Sequence, residues 1–189
     1  MLKKAAMFGL DARIALAIFG ALSVISGAAL YSAIQESRVT KNIVELKELL
    51  KAWEQYYLDT GSMIPMSTNT VAQSANLAED KLSLTSWQGP YVSYTAHGLG
   101  LRATNGNDYH IMRARTDLYW DSPSSTDDTC ITTEACYIWA RIYDHADAFD
   151  DGILTAIDKR IDNSDGAEKG EFRWSSTALN LRGPVINYE

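Results

Sequence analysis

The sequence predicts an α+β protein: a long N-terminal helix, apolar in its first half and amphipathic in its second, packed on an antiparallel β-sheet. Three observations predict it. A charge-free run of 22 residues, Ile14 to Gln35, follows a short leader carrying Lys3 and Lys4. Helical periodicity then continues to about Asp59-Thr60-Gly61, with Val39, Ile43, Leu46, Leu50, Trp53 and Tyr57 spaced 4, 3, 4, 3 and 4 apart. After Pro90 the pattern changes to alternation, interrupted by the turn signal Asn105-Gly106-Asn107-Asp108.

The apolar run of 22 residues spans roughly 33 Å as a helix, enough to cross a hydrocarbon core. Lys3 and Lys4 before it place the N-terminus on the cytoplasmic side and the following domain outside. Two other readings compete. A cleaved secretory signal would use the small residues Gly27-Ala28-Ala29, but Asp11 and Arg13 interrupt such a signal and the helix period runs on past it. A plain single-pass anchor shares the same periodicity. Gly20 and Gly27 each cost a water-exposed helix about 1 kcal/mol relative to Ala, whereas in a packed helix assembly they allow backbones to approach closely.

Gly61 reads as a helix C-cap and Pro65 forbids a return to helix. Residues 62–86, rich in Ser, Thr, Asn and Ala, read as a loop with a short helix near Ala72–Lys81. Tyr91–Tyr94, then Leu99, Leu101 and Ala103, then Tyr109–Arg115, read as a meander. In its last strand Tyr109 and Ile111 share one face, and His110, Met112 and Ala114 the other. Residues 121–129 read as an exposed loop and Tyr137–Tyr143 as a further strand.

A net charge of −7 argues against nucleic-acid binding through bulk charge, so no direct nucleic-acid partner is expected. The acidity is concentrated late, with 14 Asp/Glu against 6 Lys/Arg over residues 121–189. In an exported domain, Cys130 and Cys136 read most simply as one small-loop disulfide, with two free thiols as the alternative. His97, His110 and His145 show no metal-ligand spacing to the cysteines or to each other. No zinc-protease, nucleophile-elbow or phosphate-loop motif is present, and the chain is not expected to be an enzyme. Trp87, Trp120, Trp139 and Trp174 read as core or interface residues.

Asp144, Asp147, Asp150, Asp151, Asp158, Asp162 and Asp165 crowd one stretch. Asp147 to Asp158 fills a twelve-residue frame with Asp151 at five, Gly152 at six and a carboxylate at twelve, a partial calcium-loop pattern. Phe149 at position three cannot serve as a ligand, so the frame makes a poor EF-hand. Asp147, Asp150, Asp151 and Asp158 are the candidate calcium ligands of a looser oxygen cage. A solvated acidic helix-and-turn is the alternative.

The leader ending at Gly9, the single apolar Leu10, the long apolar helix and its amphipathic continuation resemble a type IV pilin or type II secretion pseudopilin. Tyr56-Tyr57-Leu58-Asp59-Thr60-Gly61-Ser62 with Pro65 is similar to the helix exit of these subunits. Ser86-Trp87-Gln88-Gly89-Pro90-Tyr91-Val92 is similar to their Trp-x-Gly-Pro-Tyr segment. Ile157–Asp162 with Gly166 and Gly170 resembles a late segment of some members. The resemblance implies three segments: a leader at 1–9, an assembly helix at 10–60 and a periplasmic or extracellular domain at 61–189. It implies cleavage by a prepilin peptidase between Gly9 and Leu10, with N-methylation of Leu10. Storage in the inner membrane would precede polymerisation into a filament by the assembly machinery, for adhesion or for secretion. Major pseudopilins bind calcium in a C-terminal loop. The family usually has Glu at the fifth mature position, where this chain has Ile14. Asp11 is the nearby carboxylate, three residues earlier on the same helical face, and would meet the cationic N-terminus of a neighbouring subunit. Arg13 needs a carboxylate or an interfacial position.

Overall fold

The computed structural model describes residues 2–67, 70–115, 130, 135–145 and 148–186, with side chains of the first helix described at Gly9 and from Asp11 onward. Helix α1 runs Leu2–Thr60. The chain forms two compact units, Met1–Arg38 and Val39–Glu189. No proline falls before Pro65, so nothing interrupts the helical ladder. The helix stops where the sequence places its cap. Gly61 adopts φ +65° and donates its N–H to Tyr57 O at 2.9 Å.

Six strands among the described residues make one antiparallel sheet: β1 (Thr95–His97), β2 (Gly100–Arg102), β3 (Asp108–Ala114), β4 (Cys136–Tyr143), β5 (Phe172–Trp174) and β6 (Ala178–Ile186), in the spatial order β1-β2-β3-β4-β6-β5. The second part of α1 packs on one face of this sheet, an α+β arrangement. Val39, Ile43, Leu46, Leu49, Trp53 and Tyr56 join Leu101, Tyr109, Ile111, Ile138, Ala140, Ile142, Leu179 and Leu181 in one buried cluster. Each fully buried aliphatic or aromatic side chain here contributes roughly 1.5–3 kcal/mol. A polar bond fixes the docking, since Tyr109 Oη donates to Glu45 Oε2 at 2.9 Å while Tyr94 stacks on the Tyr109 ring at 4.3 Å. Gly183 lets β6 approach the helix, because a Cβ there would lie 2.6 Å from Leu50 Cδ2.

The helix turns slightly relative to its expected stripe. Leu49 and Tyr56 are fully covered, whereas Leu50 is only half-buried and Tyr57 is exposed. A stripe with 3.5-residue spacing drifts by about 20° per heptad around a straight helix of 3.6 residues per turn, so its last members leave the contact face.

Between α1 and the sheet, the expected short helix is a single 3-10 turn at Ser74–Leu77. Thr70–Ala72 extends the sheet edge beside β3, with Val71 opposite Met112. The first strand begins at Thr95 rather than at Tyr91. Tyr91–Tyr94 instead wraps the helix end: Tyr91 N–H donates to Leu77 O (2.8 Å), Trp87 Nε1 donates to Asn76 O (2.9 Å), and Tyr91 meets Tyr56 edge-on at 5.8 Å. Helix α2 (Asp151–Ile161) places Ile153, Leu154 and Ile157 against the core. The expected loop at 121–129, Trp120 and Asp147 lie outside the described residues.

Candidate functional site: an apolar helix, a carboxylate cluster and a histidine cluster

Three places concentrate chemistry. The first is α1 before Val39. Leu16, Phe19, Leu22, Val24, Ile25, Leu30 and Tyr31 point to all sides of this helix and are 58–75% exposed. This helix is long and apolar enough to cross a membrane, and none of its apolar window is covered by protein. Gly9, Asp11 and Arg13 are exposed on it.

The second place is the turn after α2, where one of the expected calcium ligands meets two other carboxylates. Residues 151–161 are helical, so Asp151 and Asp158 are separated by seven residues and about 10 Å along the axis and cannot share a loop cage. Asp150 is the N-cap of α2, its Oδ1 accepting from the N–H groups of Gly152 (2.8 Å) and Ile153 (3.2 Å). Asp151 is exposed in the first turn. Among the described members of the expected set, only Asp158 belongs to a cluster, and its partners are Asp162, one turn on, and Asp165. One oxygen of each lies within 4.8 Å of the others.

The chain between Ile161 and β5 is bent around these carboxylates. Asn163, Ser164, Gly166 and Gly170 all have positive φ. A Cβ at Gly170 would lie 2.6 Å from both Asp162 Oδ2 and Asp165 Oδ2. Phe172 N–H donates to Asp162 Oδ2 at 2.6 Å, and Gly166 N–H to Asp158 Oδ2 at 3.2 Å. Asp158 is only 3% exposed, and its Oδ1 is buried without a hydrogen-bond partner. Burial first, then the neighbouring Asp165 and Asp162 carboxylates, push its pKa above the ordinary range against a lowering by Gly166 N–H. A donor set made only of oxygens suits a hard cation of the calcium or magnesium kind.

The third place was not legible from spacing. Two of the chain's three histidines meet Asp108 at the start of β3, and the third, His110, lies nearby on the same face. His145 Nε2 lies 2.6 Å from Asp108 Oδ2 and His97 Nδ1 3.9 Å from Oδ1, while Arg102 grips both oxygens at 2.6 and 2.9 Å. Burial pushes the Asp108 carboxyl up, but hydrogen bonds and charge from Arg102 and His145 outweigh it, leaving its pKa below the usual range. His110, on the same face, is pushed down to about 4, chiefly by burial. In the sequence Asp108 reads only as part of a turn. The one available signal was that His110 alternates onto the face opposite Tyr109 and Ile111. Cys130 and Cys136 are joined in a disulfide, with Cα atoms 5.4 Å apart. No family model, curated protein or solved structure matches the chain.

Proposed function

We propose that this chain is a structural subunit of a type IV pilus-like filament. The observation that carries the reading is the charge-free stretch Ile14–Gln35, a helix with apolar side chains exposed on every side. In water such a surface is unfavourable by about 25 cal/mol for each Å². It needs lipid before assembly and the helices of other copies afterwards. The same helix continues into a stretch that buries its stripe under the sheet.

In this reading the subunit is stored in the inner membrane. Prepilin peptidase cuts between Gly9 and Leu10, and the inner-membrane machinery transfers the subunit into a filament in the periplasm or at the cell surface. Asp11 meets the new N-terminus of a neighbour and sets register. A type II secretion pseudopilin is the nearest alternative, and an anchored periplasmic domain that never polymerises is the alternative of another class. Intact mass and N-terminal sequencing of protein sheared from cells separate them. A mature chain starting at Leu10 supports the filament reading. A chain that keeps Met1 and stays in the membrane overturns it. Asp11→Ala is expected to leave membrane insertion intact and to lower filament yield, and a normal yield refutes the register role.

The same reading includes a calcium ion held by Asp158, Asp162 and Asp165. The buried, unpartnered Asp158 Oδ1 supports it. A divalent cation would neutralise three crowded carboxylates and tie the end of α2 to the turn that leads into β5.

A further inference from the structure

The sheet face opposite α1 carries a row of polar side chains one strand apart. His97 pairs across from Gly100, His110 from Arg141, and Arg141 from Asn180. Gly100 and His110 are close neighbours in this row: a Cβ on Gly100 would lie 2.8 Å from His110 Nδ1. The imidazole therefore fills the space that a side chain at position 100 would take. Its Nδ1 is buried and has no hydrogen-bond partner.

Every strand packed around this ring presents a titratable or charged group. His97 comes from β1, Arg102 from β2, Asp108 from β3, Arg141 from β4 and His145 from the residues just after β4. Asp108, the carboxylate among them, is already engaged by Arg102 and His145. A proton added to His110 would thus create a half-buried cation beside Arg141, with no acceptor among the described residues bonded to Nδ1 and with Asp108 already engaged. The β1–β2 hairpin beside the ring pairs with β3 at two positions, Leu101↔Tyr109 and Arg102↔Asp108, and is otherwise held by the buried Leu101 and by Ala75 N–H donating to Leu99 O at 3.1 Å.

We propose that His110 is an acid-triggered release for the β1–β2 hairpin: once protonated, its ring leaves the slot over Gly100 and the hairpin opens from β3 while the rest of the sheet stays closed. Arg102 on β2, bound to Asp108, and His97 on β1, 3.9 Å from it, are the links that oppose the opening. The device depends on His110 sitting in a sheet between a glycine and an arginine, and not on filament assembly.

The test is amide hydrogen exchange of the full-length protein in detergent micelles, corrected for the intrinsic pH dependence of exchange. Protection over residues 95–102 is expected to fall about tenfold or more between neutral pH and about pH 4, with protection in β4 and β6 unchanged. In His110→Phe, which keeps an aromatic ring in the slot but cannot take a proton, the fall is expected to disappear. An equal fall in the variant overturns the proposal, as does a wild-type hairpin whose protection does not change. Should His110→Phe fail to fold, ring NMR of the wild-type protein decides. Protonation of His110 together with loss of hairpin protection supports the proposal, and protonation with the hairpin intact overturns it.

Discussion

Replacing Asp158 by Asn separates a cation site from an acidic turn that needs none. The substitution keeps the side chain's shape and removes one of three carboxylates whose oxygens lie within 4.8 Å of one another. Without a divalent cation, the raised pKa of Asp158 means that its ionisation opposes folding. Stability from this group is fully present below the unfolded carboxyl value of about 3.9 and is lost as pH rises through the elevated folded value. In EGTA at neutral pH, Asp158→Asn is therefore expected to melt at or above the wild-type temperature, its new amide donating to Asp162 or Asp165. On the proposed reading, calcium is expected to reverse the order. At a hundred times its dissociation constant it stabilises the folded wild type by about 2.7 kcal/mol. For a unit the size of Val39–Glu189, at about 2–4 °C for each kcal/mol, that is a rise of about 5–11 °C. The variant should show little or no rise. Circular-dichroism melts of both proteins, each in EGTA and in excess calcium, make the comparison. A wild-type melt that ignores calcium, or an Asp158→Asn melt that responds as the wild type does, refutes the assignment.

Leu46→Ala removes a fully buried side chain at the centre of the helix–sheet contact and should cost about 2–5 kcal/mol in denaturant unfolding. Tyr109→Phe deletes the donor to Glu45 and should cost about 1–3 kcal/mol, most visibly as faster amide exchange in the part of α1 around Glu45. Asp108→Asn should flatten part of the acid limb of the stability curve. The wild-type carboxylate contributes stability above its unfolded value of about 3.9, and that contribution is lost as pH falls through its depressed folded value, a loss readable in melts taken at successive pH values.

Elements whose signal is local could be read along the chain. The C-cap at Gly61, the strand face shared by Tyr109 and Ile111, the strand expected over Tyr137–Tyr143 and the Cys130–Cys136 pair all follow from period, cap chemistry or short separation. The expected start of the first strand at Tyr91 failed for a tertiary reason: Tyr91 and Trp87 are committed to backbone carbonyls near Leu77, so that segment clasps the helix end instead of pairing. The calcium frame failed because Asp150 is a good N-cap and its capping starts a helix through the middle of the supposed loop. The carboxylate cluster itself is marked in the sequence by the four-residue spacing of Asp158 and Asp162, followed by Asp165 and the glycines at 166 and 170.

By itself the sequence determined where the chain is apolar on all sides, where it becomes one-sided, and where it must turn. These follow from the 3.6-residue and two-residue periods and from glycine and proline, which act within a few residues. Only the tertiary structure decided which charges meet. Asp108 gathers Arg102, His97 and His145 because antiparallel pairing sets β1, β2 and the end of β4 beside it, and Asp158 faces Asp165 because the chain doubles back at Asn163 and Ser164. Electrostatic contacts depend on distance in space, and in a sheet residues tens of positions apart lie within about 5 Å of each other.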